Sequence, residues 1–389
     1  MILVVIGANE NVARAAASLG TELVHVQLPG APEIDPGGGR ILRVDFRDPA
    51  VFLPFVDEVL APLAPTAVVS LTEPGLEPAA AANARLGTPG PSPAVVRATR
   101  DKLTMRRILE ERAPHLNPAF APGDDEAAVE RLFATHAQVV AKPVDGVGSS
   151  AVDLVYALGD LPKDRRTSAT LLEQFVGGRE FSIECLSSGG RHTIMGIAEK
   201  GVTATGFIEL SHLMPPLSLD ERRRALVEEA VRELLDALGL TDGPSHTEVK
   251  VDGDKVTVIE THNRLGGDGI ADLVRLTTGV DWRRAAVGWA VGAGAEPEAP
   301  AAACAATVFF TAQPGRVTAV APQPELAHGT VVDWSMTVDV GDLVNPLRSS
   351  VDRLGVATLT AADPRRCAAA ITELTANRIV TTEPVPTLR

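Results

Sequence analysis

Apolar and polar positions divide the first quarter of the chain into short strands and longer helices. Residues 2–6 form a continuous apolar run, which is typical of a buried parallel strand. The segments 22–28 and 67–71 predict further strands, and 49–63 predicts a helix between them. Because strands alternate with helices, we expect an open parallel α/β sheet over residues 1–97.

The middle of the chain changes to strands that follow one another closely. A helix is predicted over 99–112 and a long amphipathic helix over 217–240. Ser218 and Glu221 have the spacing of a capping box at the start of the second helix. Strands are predicted at 136–144, 150–158, 169–176, 177–188 and 191–200.

Two later strands, 245–251 and 256–264, carry charged residues at alternate positions. Since side chains alternate along a strand, each set shares one face: His246, Glu248 and Lys250 on the first strand, and Glu260, His262 and Arg264 on the second. A three-residue turn at 253–255 would bring Glu248 opposite Glu260. Facing carboxylates repel each other, and a divalent cation between them removes the repulsion. The alternative is a solvated sheet face of mixed charge.

A glycine-rich segment, VVAKPVDGVGSSAV at 139–152, precedes this hairpin. Lys142 comes before the glycines, so the segment is not a P-loop. Glycines allow the backbone to approach a phosphate closely, and hydroxyls add donors. Together with the carboxylate hairpin, the segment predicts a site for a phosphorylated ligand and its metal ion.

Composition narrows the range of partners. The chain has 389 residues and a net charge of −14, which argues against nucleic acid or an anionic membrane as partner. Three widely spaced cysteines form neither a disulfide framework nor a zinc pattern, and they suit a reducing cytosol. The N-terminal apolar run is short and has no basic residue before it, so neither a signal peptide nor a membrane anchor is expected and a cytoplasmic location is predicted. The first turn contains Gly7 and Ala8 but no G-x-G-x-x-G, which argues against a dinucleotide-dependent oxidoreductase.

From about Lys102 to Gly267 these motifs resemble the ATP-grasp superfamily of carboxylate–amine ligases. The resemblance implies an ATP-grasp fold of the α/β class with α+β lobes. Residues 1–97 would be an open parallel α/β domain, and 299–389 a small C-terminal α+β domain. Between them would lie the ATP-grasp small lobe, 98–175, and the large lobe, 176–298.

The resemblance also implies roles for individual residues. ATP would be bound by Lys102, Lys142, Gly146, Gly148, Ser149 and Ser150, with Glu173 and the Val176 backbone at the adenine edge and Glu180 on the ribose. Mg²⁺, for which Mn²⁺ could substitute, would be held by Glu248 and Glu260. The family's usual second strand reads Glu-x-Asn-x-Arg, and here His262 takes the asparagine position, which makes it a candidate third ligand. Arg264 would hold the substrate carboxylate or acyl phosphate through a bidentate fork, and catalysis would depend on Arg264, Lys142 and Glu260.

Within the superfamily the chain is most similar to the L-amino acid ligases, which form dipeptides. Segment 206–216 resembles their substrate-binding stretch, which implies that Glu209 and His212 contact the amino acid, with Gly267, Asp268 and Arg264 completing the substrate site. His212 as an ordinary loop histidine and Asp268 as an exposed loop acid remain alternatives.

The implied reaction joins a carboxylate, expected to be an amino acid, to an amine through an acyl phosphate, with release of ADP and phosphate. Its partners would be small molecules, and a homodimer is left open. Two other functions also remain open: an ATP-grasp enzyme of the carboxylase kind with a different acceptor, and a nucleotide-binding module without turnover.

Overall fold

The computed structural model describes residues 1–146, 148, 150–203, 207–294 and 296–385. Ser149, one of the predicted nucleotide-binding residues, lies outside these ranges. Within them, no helix has both the length and the apolarity that a membrane span requires.

The N-terminal part forms the parallel sheet that its apolar pattern predicts. Its strands are β1 (Ile2–Ile6), β2 (Glu22–Gln27), β3 (Arg40–Arg43) and β4 (Ala67–Val69), in the order β3-β2-β1-β4 with parallel pairing. Its helices are α1 (Glu10–Ala17), α2 (Pro49–Phe55), α3 (Glu73–Leu86) and α4 (Pro93–Arg100). The helix predicted over 49–63 is shorter than expected, since a π-helical segment follows Phe55. Pro54, in its last turn, has no N–H to donate to the helical ladder.

A small antiparallel sheet follows. Its elements are α5 (Lys102–Arg112), β5 (Phe120–Pro122), α6 (Glu126–Thr135), β6 (Val139–Pro143), β7 (Asp153–Val155) and β8 (Thr170–Gln174), with the strand order β5-β8-β6-β7. Lys102 is the first residue of α5, directly after the cap Asp101, whose side chain accepts from the Thr104 N–H. The helix therefore fixes Lys102 at its N-terminal end, beside the glycine-rich segment.

A large antiparallel sheet forms the centre of the molecule. Its first part comprises β9 (Arg179–Ser188), β10 (Arg191–Val202), β11 (Glu209–Met214), α7 (Glu221–Leu238), β12 (Gly243–Asp252), β13 (Lys255–His262), α8 (Ile270–Thr278) and α9 (Trp282–Gly288). Helices α5 and α7 pack on one face of this sheet, where Phe181, Ile183 and Val249 join their apolar residues in one core. On the opposite face, charged side chains lie beside an apolar region in which Ala198 and Met214 pack with residues of α8 and α9.

Two local predictions about this region are wrong. Helix α7 is capped by Asp220, whose side chain accepts from the Arg223 N–H, and not by Ser218. The β12–β13 turn contains two residues, not three, because Asp252 pairs with Lys255. Glu248 nevertheless lies opposite Glu260, as predicted, because the register shifts by one residue at a bulge next to this pair.

The C-terminal part extends the large sheet and adds a small one. Its elements are β14 (Cys304–Phe310), β15 (Gly315–Val320), β16 (Thr330–Met336), β17 (Leu343–Val344), β18 (Gly355–Ala361), α10 (Pro364–Ala376) and β19 (Val380–Glu383). The large sheet has the order β13-β12-β9-β10-β11-β14-β18-β16, and the small sheet the order β17-β15-β19. The division into domains at 97, 175 and 298 remains a proposal, and the large sheet continues across the last of these positions.

Candidate active site

Alternation along the central strand β9 separates a charged face from an apolar one. Phe181 and Ile183 belong to the core with α5 and α7. Glu180 pairs with Lys250 on the neighbouring strand, and Glu184 pairs with His246. Because paired residues of adjacent strands share a face, the charged side chains of β9 and β12 lie on the face opposite α5 and α7.

Glu248 and Glu260 are opposite each other on this charged face. Burial alone would raise the pKa of both carboxyls. The Lys200 ammonium instead lowers the pKa of Glu248 to about 2, and Lys102 holds the pKa of Glu260 well below its usual range. Both groups are therefore deprotonated at neutral pH.

This pair of carboxylates is a donor set that fits Mg²⁺. Magnesium ions usually take one or two protein carboxylates and complete their coordination with water and substrate phosphates. A group of three or more His, Cys, Asp or Glu side chains arranged to hold a metal is absent from the described part of the chain. A metal here would thus depend on oxygens of a bound ligand.

Lys200, which the sequence analysis did not identify, contacts three carboxylates on the charged face. Its ammonium lies 2.6 Å from Glu180, 3.1 Å from Glu209 and 2.8 Å from Glu248, and its side chain is 1% exposed. Burial disfavours the ammonium, but these carboxylates raise the pKa of Lys200 well above its usual value. One charged lysine thereby fixes residues that the sequence assigned to ribose, substrate and metal.

Glu73, at the start of α3, connects the N-terminal domain to the end of the hairpin. Its carboxylate lies 2.9 Å from His262 Nδ1 and 2.5 Å from Arg264 Nε. Burial would raise the pKa of Glu73, but His262 and Arg264 lower it to about 2. The other ring nitrogen of His262 lies 3.4 Å from Glu260. Both nitrogens thus face carboxylates, and the metal-ligand role of His262 stays a prediction.

The predicted nucleotide-binding residues within the described ranges line one cavity. It lies between the sheet β5-β8-β6-β7 and the charged face of the large sheet. Its walls include Lys102, Lys142, Gly146, Gly148, Ser150, Glu173, Val176 and Glu180. Glu248 and Glu260 border the same cavity. The assignment of these residues to ATP remains a prediction, and the structure brings them together.

Buried ion pairs fix the two lysines of this cavity. Lys142 Nζ lies 2.7 Å from Glu173, whose other oxygen accepts from Arg106. Lys102 Nζ donates to the Gly146 carbonyl at 2.7 Å and lies 3.1 Å from Glu260. The Glu173 side chain is thus engaged by two cations, and its role at the adenine edge stays a prediction.

A second cavity, of about 500 Å³, adjoins the first. Its lining includes all the predicted substrate residues: Glu209, His212, Arg264, Gly267 and Asp268. The two cavities share Gly148, Glu248 and Glu260 in their walls. The carboxylate pair and the glycine-rich segment therefore lie where the two spaces meet.

Three further residues of the second cavity come from distant parts of the sequence. Thr72 and Glu73 follow β4 of the N-terminal domain, and Ser350 belongs to the C-terminal domain. The Ser350 hydroxyl donates to Glu209 at 2.9 Å, and its N–H donates to the Gly148 carbonyl at 3.3 Å. Both segments resemble ordinary loops in the sequence, and no local pattern marks them as parts of the site.

A buried network lies beside Glu248 on the same face of the hairpin. The Glu184 carboxylate lies 2.6 Å from His246 Nδ1 and accepts from Trp282 Nε1 at 2.6 Å. His246 Nε2 lies 3.3 Å from Glu248. Burial would lower the pKa of His246, but Glu184 and Glu248 raise it to about 9, so the imidazole is protonated at neutral pH. The period-two pattern of β9 could have indicated Glu184.

Comparison with known families accounts for this arrangement. Residues 135–272, which include the glycine-rich segment and both hairpin carboxylates, match the family described as ATP-grasp domain. This chain contains an ATP-grasp domain. Residues 308–382, beyond that domain, match L-amino acid ligase C-terminal domain 2.

Individual relatives agree with the ATP-grasp assignment. The chain is 32% identical to carnosine synthase 1 of Homo sapiens over 250 residues, which cover 55% of this chain and 29% of that protein. It therefore spans less than a third of that relative's length. The structure of an L-amino acid ligase from Bacillus licheniformis matches with a TM-score of 0.79 at 23% identity, covering 98% of both chains.

A second solved structure has a similar fold. Phosphoribosylglycinamide synthetase from Anaerococcus prevotii matches with a TM-score of 0.72 at 15% identity, covering 98% of this chain and 99% of that chain. At this identity the likeness concerns the fold. The predicted fold class, a mixed α/β ATP-grasp fold, is confirmed.

Proposed function

We propose that this protein is an ATP- and Mg²⁺-dependent ligase that joins the carboxylate of an amino acid to an amine. The observation that carries the proposal is the meeting of the two cavities at Gly148, Glu248 and Glu260. A ligand with terminal phosphates at this junction would meet a substrate carboxylate held in the second cavity. The relatives that form amides from amino acids, and the match to the L-amino acid ligase C-terminal domain, support this reading.

In the first step a substrate carboxylate oxygen attacks the γ-phosphorus of ATP, and the bond to ADP breaks. The lysine ammonium groups of Lys102 and Lys142 would bind phosphate oxygens and offset their charge. Glu248 and Glu260 would hold Mg²⁺, which when bound neutralises phosphate charge, and Mn²⁺ is expected to substitute. The glycine-rich segment would cover the phosphates.

In the second step the amine attacks the acyl carbon, phosphate leaves and the amine loses its proton. Arg264 would hold the reacting carboxylate, since its guanidinium can form two parallel hydrogen bonds with an oxyanion. His212 and Glu209 would contact the amino acid. No covalent bond to the protein is needed, and positioning with charge neutralisation would account for the rate.

The test is a product assay with purified protein, ATP, Mg²⁺ and pairs of amino acids. We expect ADP, phosphate and dipeptide in equal amounts, because the lysines and carboxylates surround the terminal phosphates. AMP as product would overturn the acyl-phosphate route. Phosphate release that depended on bicarbonate and not on an amino acid would favour a carboxylase-like enzyme, and no turnover with any pair would favour a binding module.

A matched pair of variants ties the reaction to the site. Lys142→Ala should reduce turnover by a factor of about 100 or more, as expected when a charge-stabilising group is removed. Lys163→Ala removes an exposed lysine of the same lobe and should leave turnover unchanged. Equal activity of the two variants would contradict the assignment of Lys142.

A further inference from the structure

Two carboxylates of the second cavity contact cations of the protein itself. Glu209 lies 3.1 Å from the Lys200 ammonium and accepts from the Ser350 hydroxyl. Asp268 accepts from Arg353 in a bidentate pair, with Nη1 at 2.8 Å and Nη2 at 2.6 Å. Both acids border the cavity. Glu209 shares Lys200 with Glu180 and Glu248, whereas both carboxylate oxygens of Asp268 accept from Arg353.

Arg353 is held in place by contacts on several sides. Its guanidinium lies 3.7 Å above the Phe309 ring, and its Nε donates to the Ser350 carbonyl at 2.7 Å. The side chain is 11% exposed. A planar guanidinium fixed in this way cannot easily turn from Asp268 towards a ligand.

The turn that carries Arg353 is itself rigid. The Asp352 carboxylate accepts from the backbone N–H groups of Arg348 and Ser349 and from the Ser349 hydroxyl. The turn thereby places one positive charge next to Asp268, which lines the cavity. The Arg353–Asp268 pair is neutral as a unit, whereas either partner alone would leave a charge on that wall.

We propose that Arg353 makes the cavity select an amino acid with an uncharged side chain, because it cancels the charge of Asp268. This inference rests on the proposed ligase function. Arg353 acts through Asp268 and is a positioning residue, not a catalytic one.

The experiment is a charge exchange read by substrate selectivity. Amino acids with neutral, cationic and anionic side chains are compared by kcat/KM in the phosphate-release assay for the wild type, Arg353→Met, Asp268→Asn and the double variant. Arg353→Met leaves the Asp268 charge unbalanced and should shift selectivity towards cationic side chains by about tenfold or more, which corresponds to about 1.4 kcal/mol. Asp268→Asn should shift it towards anionic side chains, and the double variant should return to neutral ones.

If the double variant again selects neutral side chains, the shifts in the single variants reflect charge and not misfolding. Destabilising effects of the two substitutions would add and would not cancel. Arg316→Met removes an exposed arginine of the same domain and should leave selectivity unchanged. Wild-type activity on neutral amino acids, with no opposite shifts in the single variants, would overturn the inference and leave the ligase function standing. Absence of ligation with every amino acid in the wild type would instead contradict the ligase function itself.

Discussion

Charge balance around individual residues explains how so many acids gather on one face of the central sheet. Glu180, Glu209 and Glu248 come from three strands and all contact Lys200. Acids this close would repel each other without a cation between them. Lys200 therefore stabilises the fold as well as the site.

The first prediction concerns this lysine. Lys200→Met should lower the free energy of unfolding by about 3–5 kcal/mol, because it leaves buried carboxylates without their counter-ion. Urea denaturation measures the loss. Lys250→Met is the matched control, since the Lys250 ammonium lies 3.7 Å from Glu180 and makes a weaker pair. Equal losses in the two variants would show that Lys200 has no special role.

Residue-level prediction from sequence succeeded where the cause was local. The alternation of side chains along each strand was predicted correctly, whereas Glu248 lies opposite Glu260 only because a two-residue turn and a bulge, neither of them predicted, offset each other. Lys200 lies within a predicted strand, but its partners depend on which strands pair, and local pattern does not encode that. Glu73 and Ser350 reach the site only through the packing of domains far apart in sequence.

At the level of elements, the segment between β8 and β9 joins the sheet β5-β8-β6-β7 to the large sheet. Gly178 in this segment has φ +90°, and a Cβ there would lie 2.3 Å from the Val251 carbonyl oxygen. The neighbouring Gly177 has open space at the same position. A side chain is therefore sterically opposed at position 178 but not at position 177.

Substitution of these glycines gives the second prediction. Gly178→Ala should destabilise the fold by about 1–3 kcal/mol, because the left-handed conformation and the contact with Val251 both oppose a side chain. Gly177→Ala should have little effect. Thermal unfolding of both variants tests this, and a loss of similar size at Gly177 would contradict the steric explanation.

The start of helix α7 shows where the sequence pattern is ambiguous. Ser218 and Asp220 are both favoured helix caps, and the spacing to Glu221 suggested the first. The structure uses Asp220, which directly precedes the first helical residue Glu221, and the Ser218 N–H donates to Glu199 and not to Glu221. A competing tertiary hydrogen bond of this kind leaves no trace in the local sequence.

At the scale of the whole molecule, the Arg353–Asp268 pair connects the region that matches the L-amino acid ligase C-terminal domain 2 to the ATP-grasp domain. Burial would raise the pKa of Asp268, but His212 and Arg353 hold it below its ordinary value of 3.8. A carboxyl with a depressed pKa stabilises the fold above its ordinary pKa, and that contribution is lost as the pH falls further.

The third prediction follows from the direction of this pKa shift. The free energy of unfolding should decrease as the pH falls below about 3.8, and Asp268→Asn should make this decrease smaller. Denaturation in urea at a series of acidic pH values measures both slopes. Asp272→Asn, which removes a half-exposed partner of Arg283, is the control. If it flattened the acid dependence as much as Asp268→Asn, the effect would not belong to the domain connection.

The continuous large sheet has a consequence for how this protein could be divided. A fragment that ended at residue 298 would keep β11 and lose β14, its partner on one side. The backbone N–H and C=O groups of Ser211–Met214 would then form an open edge, ready to pair with the same edge of another molecule. Such a fragment should self-associate and precipitate, and it would also lose Ala305, which shares a core with Met214. A division within residues 296–303 that leaves both pieces present should preserve the shared sheet.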